Sequence, residues 1–342
     1  MLILIMLVSK SGYATEIEFT DYTFIAGHQS LQHWLLPTPV PTPVDNPQTE
    51  EKISLGKILF FDPRLSGDNN MSCATCHNPM LGWSDNQPVA RGYKSKALGR
   101  ATPLIINSAY NNLQMWDGRI KTLEEQALAP MEAELEMHAD LSSKIALLKS
   151  IDGYVTAFDK AFPGKTISRK TMAMAIASFE RTVISNNSNF DAWVKGDESA
   201  LTGDAKLGFQ LFINPLKGNC AVCHSPPNFS DDGFHNIGLA SFGHDSPDLG
   251  RYTQKPLHLM KGAFKTPTLR DIALSAPFFH DGSAQTLTQV VEHYSEGGKV
   301  KTNLSPNFNT NALTSDEITS IVSFLNALTS PHSPITLPIL PQ

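Results

Sequence analysis

The sequence has few of the features that mark membrane proteins, nucleic-acid-binding proteins or disulfide-rich proteins. Only 4 of its 342 residues are cysteines, 18% are charged, and the formal net charge is -6 at pH 7. Nucleic-acid binding usually needs a basic face, so we expect no nucleic-acid partner. No apolar run approaches the roughly 20 residues that a membrane helix requires, so we also expect no membrane-spanning segment.

An apolar run at the N-terminus is too short to cross a bilayer. Residues 1–8 are apolar, and the small residues Gly12 and Ala14 follow them, which is the order of a secretory signal with its cleavage site. Basic residues usually precede such a run and are missing here, which a start codon assigned too late would explain. A buried N-terminal strand is the alternative. We interpret residues 1–14 as a signal peptide.

Helical periodicity dominates the rest of the chain. Met172, Ile176, Phe179 and Val183 are spaced to fall on one face of a helix. A second apolar face runs through residues 318–328, and Thr314-Ser-Asp-Glu317 ahead of it is typical of a capping box. Strand-like alternation is scarce. The sequence therefore predicts a mainly α fold with long loops.

Prolines mark both ends of the chain. Four of them alternate between Pro37 and Pro43, and others recur from Pro331 to Pro341. Proline-rich segments favour extended conformations. We expect an extended N-terminal leader over residues 15–50 and a proline-rich tail over residues 331–342.

The chain contains an internal repeat, the feature to be sought first in any sequence. Leu55-Gly-Lys-Ile-Leu-Phe-Phe-Asp-Pro63 is echoed by Leu207-Gly-Phe-Gln-Leu-Phe-Ile-Asn-Pro215, and each is followed by Cys-x-x-Cys-His. Three later dipeptides match at an offset of 164 residues: Thr102-Pro103 with Thr266-Pro267, Asp117-Gly118 with Asp281-Gly282, and Thr122-Leu123 with Thr286-Leu287. The repeat predicts tandem domains over residues 51–190 and 204–330, with a boundary between Asn186 and Gly203.

The two Cys-x-x-Cys-His motifs are the attachment pattern of c-type haem. In each motif two thiols bind the haem covalently and the histidine ligates its iron. A zinc ribbon, a redox dithiol and two disulfides are the alternatives, but zinc would leave both histidines unexplained. The motifs predict two covalent haem c groups and fit export to the periplasm. The attachment residues are Cys73, Cys76, Cys220 and Cys223, and the iron ligands are His77 and His224.

The repeat also predicts that the two haems differ. At the offset of 164 residues, Tyr294 corresponds to Pro130. Proline has no side-chain donor for iron, whereas the tyrosine oxygen is one. We expect one haem with an open face and one capped by Tyr294, which suits an oxidase better than an electron carrier.

From residue 55 to residue 329 the chain resembles the bacterial di-haem cytochrome c peroxidase and MauG superfamily. The resemblance depends on the order of six motifs: residues 55–64, Ser72-Cys-Ala-Thr-Cys-His-Asn78, Trp116-Asp-Gly-Arg119, Glu124-Glu-Gln-Ala127, Phe264-Lys-Thr-Pro-Thr-Leu-Arg270 and His280-Asp-Gly282. It implies that hydrogen peroxide reacts at the N-terminal haem and that the C-terminal haem transfers electrons.

The resemblance also assigns residues to the peroxide site. Trp116 would lie between the haems, although a core tryptophan is the alternative. Gln126 and Glu136 would face the N-terminal haem, with Glu136 as the acid–base group that assists O–O cleavage. Glu132 and Glu134 are close by, so a solvated acidic face is the alternative for the glutamates.

Three departures from the ordinary peroxidase pattern follow. Tyr294 occupies the position at which ordinary peroxidases have a methionine ligand to the iron. Tyr93 is the best match to the position of their removable histidine ligand. Both changes resemble the MauG branch, whose members oxidise tryptophan side chains of a partner protein. The family's calcium site would use the carbonyls of Ser275 and Pro277, but Ala101 replaces its asparagine.

We therefore predict a periplasmic oxidase that uses hydrogen peroxide and high-valent haem iron to oxidise a partner protein. A phenolate oxygen is a hard, anionic ligand, so Tyr294 would lower the potential of its haem and favour higher oxidation states. One alternative is a peroxidase that takes electrons from a small cytochrome or cupredoxin, with Met260 as the candidate ligand in place of Tyr294. The other is a plain electron-transfer cytochrome.

Overall fold

The structure is a computed structural model that describes residues 24–308, 311–332 and 334–342. The predicted signal peptide lies outside these residues. Within them the fold is mainly helical, as predicted, and the strands form a single antiparallel pair, β1 (Phe234–His235) with β2 (Phe264–Lys265). The helices are α1 (Glu50–Phe61), α2 (Cys73–Cys76), α3 (Leu123–Glu132), α4 (Leu141–Lys149), α5 (Asp152–Ala161), α6 (Arg169–Glu180), α7 (Asn189–Val194), α8 (Gly203–Ile213), α9 (Leu287–Ser295) and α10 (Ser315–Asn326).

Side-chain caps fix where the long helices begin. The predicted capping box at Thr314 and Glu317 is present at the start of α10, and Ser168 with Thr171 forms another at the start of α6. Such caps satisfy backbone N–H groups that the first helical turn leaves unpaired. Met172, Ile176 and Phe179 are buried on α6 as predicted, and Val183 is buried just beyond its end.

The first and last long helices of each half cross at a glycine. A Cβ atom on Gly56 of α1 would lie 1.9 Å from the Ala175 oxygen and 2.9 Å from the Phe179 Cβ of α6. A Cβ atom on Gly208 of α8 would lie 1.9 Å from the Ser320 oxygen and 2.8 Å from the Phe324 Cβ of α10. Only glycine permits these close approaches, so the two crossings are equivalent.

The internal repeat is confirmed by backbone geometry at the offset of 164 residues. Thr122 caps α3 and Thr286 caps α9 with the same side-chain hydrogen bond. Met115 and Phe279 share a positive φ, at 71° and 69°. Short antiparallel bridges pair Gln114 with Ile120 and Phe278 with Ala284.

The apolar side chains form two cores. The first runs from Leu55 to Val183 along the chain. The second includes Phe190 and Trp193 of α7, within the polar stretch where the boundary is predicted, and continues to Leu328. Along the chain, the change from the first core to the second therefore lies between Val183 and Phe190.

Both proline-rich ends pack against the half that is distant in sequence. The expected extended course of the leader is interrupted at Gln29–Trp34, which form a 3₁₀ helix because Leu31 and Trp34 are buried in the second core. At the other end, Ile335 packs against the first core, and Arg64 Nη1 donates to the Pro341 oxygen at 3.0 Å.

Candidate haem-binding cavities

The first Cys-x-x-Cys-His motif forms the single turn α2. Ser72 and Thr75 cap it reciprocally, and the His77 N–H donates to the Cys73 oxygen at 2.9 Å. His77 Nδ1 lies 3.3 Å from the Trp83 oxygen. A carbonyl only accepts, so Nδ1 carries the proton and Nε2 keeps its lone pair for a metal.

Burial keeps these thiols protonated. It raises the pKa of Cys73 to about 12 and that of Cys76 to about 11. Redox dithiols need a lowered thiol pKa, and all four cysteines are free, which argues against the dithiol and disulfide alternatives. A four-cysteine zinc site does not fit either, because the two thiol pairs lie in the walls of different cavities.

The first cavity, of about 500 Å³, brings together the residues predicted for a peroxide site. α3 contributes Gln126 and Pro130 to its wall, and the loop after α3 contributes Glu136. The Pro130 carbonyl accepts from the Met137 N–H at 3.0 Å, which holds that loop against the end of the helix. These side chains line the same space as Cys73, Cys76 and His77.

Of the three neighbouring glutamates, Glu136 alone lines this cavity. Glu132 and Glu134 are exposed, and Glu132 forms an ion pair with Arg169. Burial raises the pKa of Glu136, and the positive charge of Arg119 opposes that rise. The solvated-face alternative therefore fits Glu132 and Glu134 but not Glu136.

Tyr93 lies outside the first cavity and packs against residues at its edge. Its ring stacks on the His138 ring with centroids 4.2 Å apart, its hydroxyl donates to Asp68 at 3.3 Å, and its N–H donates to the Leu135 oxygen at 2.9 Å. Neither His138 nor the 73%-exposed Met80 reaches the cavity wall. The methionines that do are Met71, Met115 and Met137.

The second motif follows the same plan in the second cavity, of about 260 Å³. His224 Nδ1 donates to the Phe229 oxygen at 3.0 Å, so its Nε2 also keeps its lone pair. Burial raises the pKa of Cys220 to about 12. Tyr294, on α9, lines this cavity with His224, Cys220 and Cys223. Burial raises the pKa of Tyr294, helped by the nearby sulfur atoms, so a cation would be needed to ionise it.

Trp116 lies in the wall shared by the two cavities. Its Nε1 donates to the Ala101 oxygen, and its own carbonyl accepts from the Lys265 N–H, both at 2.8 Å. Its ring meets the His280 ring edge-on with centroids 6.3 Å apart. These contacts fix one indole between the two halves.

The residues of the expected calcium site lie on the cavity walls, and Ala101, which replaces the asparagine of the family pattern, offers no side-chain ligand. Ser275 and Pro277 line the second cavity, and Ala101 lies in the shared wall. The Ala101 side chain is a methyl group, and its carbonyl already accepts from Trp116.

Sequence reasoning missed two groups in these walls. Arg100 joins the two halves by bonding to Asp117 at 2.9 Å and to Asp248 at 2.6 Å. Glu180, at the end of α6, lines both cavities. Among the described residues, Cys223, Asp231 and His235 form the one group with the spacing of metal ligands, but Cys223 belongs to the haem motif.

Comparison with known proteins gives consistent results. The family model described as di-haem cytochrome c peroxidase matches residues 50–199. The methylamine utilization protein MauG of Methylophilus methylotrophus is 42% identical over 308 residues, covering 90% of each chain. That of Methylorubrum extorquens is 43% identical over 89% of this chain and 86% of its own length. The crystal structure of a MauG-like protein associated with microbial copper homeostasis aligns with a TM-score of 0.80 at 32% identity, covering 87% of this chain and 95% of the other.

Proposed function

The chain belongs to the di-haem cytochrome c peroxidase and MauG family, and from that premise we propose that it is a periplasmic oxidase that uses hydrogen peroxide to oxidise a tryptophan of a partner protein. One observation carries the choice within the family. Equivalent places in the two cavities hold Pro130, which cannot bind a metal, and Tyr294, which can.

Each cavity fits one covalently held haem. Two free thiols and an imidazole whose Nδ1 is fixed by a carbonyl line each cavity. Cys73, Cys76 and His77 would hold the first haem, and Cys220, Cys223 and His224 the second. When bound, the haems supply iron that accepts oxidising equivalents from peroxide and passes them on. We place the first haem in a domain of residues 51–190 and the second in a domain of residues 204–330.

In the first cavity, side chains of the protein transfer the proton of the peroxide. Glu136 accepts it as a carboxylate and returns it to the departing oxygen, which is general acid–base catalysis. The Gln126 amide orients the peroxide by hydrogen bonding, and Pro130 adds no side-chain ligand to this cavity.

In the second cavity Tyr294 would supply an anionic oxygen ligand to the iron. The neutral phenol of this buried site would lose its proton on binding iron. The phenolate would then stabilise the oxidised metal, and Trp116 would carry charge between the cavities.

The proposed partner is a protein, which the relatedness to the MauG proteins supports. No helix in the described part of the chain is long and apolar enough to cross a membrane. Residues 1–14 are proposed as the export signal. We also propose that the carbonyls of Ser275 and Pro277 bind a calcium ion. This site would have fewer ligands than the family pattern provides, because Ala101 replaces the asparagine.

The test is peroxide addition to the fully oxidised, haem-loaded protein. The proposed function predicts a rapid optical change without prior reduction. If the protein reacts only after reduction and then turns over with a small cytochrome or cupredoxin, the peroxidase alternative is correct. If peroxide produces no change in either state, the protein is an electron-transfer cytochrome.

A further inference from the structure

Glu180 is a buried carboxyl group in the wall between the two cavities. Only 3% of it is exposed, and its Oε2 has no hydrogen-bond partner among the described residues. An unpaired buried acceptor is destabilising, and such atoms in native proteins call for an explanation. None of the steps assigned to Glu136, Gln126 or Tyr294 uses this group.

The internal repeat indicates that the fold itself does not need an acid at this place. Phe179 meets Gly56 as Phe324 meets Gly208, so these two phenylalanines are equivalent. The next residue is Glu180 in the first half and Leu325 in the second, and both are buried. An apolar side chain satisfies the packing, so the carboxyl group is specific to the peroxide half.

The charge of Glu180 acts where the first haem would be attached. Its presence helps to raise the pKa of the Cys73 thiol, whereas the carboxylate that influences the pKa of His77 is Asp85. The neighbouring Arg181 does not neutralise it, because its guanidinium makes two hydrogen bonds to Glu124, at 2.8 and 3.0 Å.

Burial raises the pKa of Glu180 to about 8, with Arg181 opposing the rise and Glu124 adding to it. A group of this kind exchanges its proton near neutral pH when a nearby charge changes. In a poorly screened interior, one added electron raises the proton affinity of a neighbouring carboxylate.

We propose that Glu180 is the redox-linked proton site of the first cavity. When a one-electron donor reduces the haem held by Cys73 and Cys76, the Glu180 carboxylate takes up one proton from solvent. When that haem is oxidised, the carboxyl group releases the proton. This inference rests on the proposed function only in placing a haem at Cys73, Cys76 and His77.

The first test is the pH dependence of the midpoint potential of the first haem in the haem-loaded protein. Full coupling of one proton to one electron gives a slope of about 59 mV per tenfold change in proton activity. We expect a clear slope between about pH 6 and pH 9 in the wild type. Glu180→Gln keeps the shape of the side chain and should lose at least half of this slope.

Glu134→Gln is the matched control, because it removes the same charge from an exposed position and should keep the wild-type slope. An unchanged slope in Glu180→Gln would overturn the proposal. Pyridine haemochrome analysis is done first: a missing first haem refutes the haem assignment, whereas a bound haem with a pH-independent potential refutes only the role of Glu180.

The second test does not need the glutamine variant to assemble. Infrared difference spectra between the reduced and oxidised wild type should show a protonated carboxyl band that appears on reduction and shifts in D₂O. Glu180→Asp should keep this band at a changed frequency. A wild-type spectrum without a carboxyl band would also overturn the proposal.

Discussion

Pro130 and Tyr294 occupy the same position in two equivalent helices. Each lies eight residues after the threonine that caps its helix, Thr122 for α3 and Thr286 for α9, and each lines the cavity of its own half. The two cavities thus differ at the position that would decide whether an iron keeps a free side.

We expect the fully oxidised protein to give one high-spin and one low-spin ferric signal in electron paramagnetic resonance. The high-spin signal would come from the haem at His77, because Pro130 offers no ligand and Tyr93 is held away by its stack on His138. Two low-spin signals would contradict this. In that case the three methionines that line the cavity, Met71, Met115 and Met137, would each be replaced by leucine to find the ligand.

Tyr294→Met should raise the potential of the second haem. A neutral thioether favours reduced iron, whereas the phenolate favours oxidised iron. The variant should still bind two haems but should no longer react with peroxide in the fully oxidised state. Redox titration and stopped-flow absorbance would check both effects. An unchanged potential would show that Tyr294 is a packing residue.

Trp116→Phe should leave both haems in place and slow charge transfer between them. Phenylalanine fills the space but is hard to oxidise and cannot bond to the Ala101 carbonyl. The peroxide reaction at the first haem should proceed while the spectral change of the second haem lags behind it. Trp83→Phe, at a buried tryptophan of the first core, is the control.

Glu136→Gln should slow the peroxide reaction by about 10²- to 10⁴-fold, the usual contribution of a general acid–base group. In the wild type, burial raises the pKa of Glu136, and the proton-accepting carboxylate is lost as the pH falls through that raised value. The rate should therefore decline in acid at a higher pH than a free glutamate would give. Glu134→Gln should keep both the rate and its pH profile.

Pyridine haemochrome analysis should count two c-type haems per chain. Replacing Cys73 and Cys76 together by alanine should leave one haem, at His224. Because the two cysteine pairs lie in the walls of different cavities, the second haem should remain bound. A wild-type chain that carries zinc in place of haem would contradict the assignment.

The internal repeat of the sequence predicted equivalent positions for Pro130 and Tyr294, whereas the other cavity residues were predicted only from the family resemblance. The offset of 164 residues paired Pro130 with Tyr294, and the structure places both on cavity walls. The burial of Glu136 could not be read from the sequence, since three alternating glutamates look equally solvated. Their exposure is decided by the loop that the Pro130 carbonyl holds.

Two features escaped the sequence for tertiary reasons. Glu180 ends an apolar helix, where a solvated acid is the ordinary expectation, although alignment of Phe179-Glu180 with Phe324-Leu325 would have revealed an unmatched charge. Trp34 lies in a proline-rich leader whose burial depends on a core formed by residues more than a hundred positions later.

The exchange of terminal segments makes the two halves mutually dependent. Trp34 completes the second core, and Asn46 then bonds to the Met174 oxygen of α6 as the leader passes onto the first half. The tail runs back to Arg64. A protease that cuts between Val183 and Phe190 would produce two fragments, each of which carries a terminal segment that packs against the other fragment. Such a nicked chain should stay assembled, and separately produced fragments should recover the native state only by complementation.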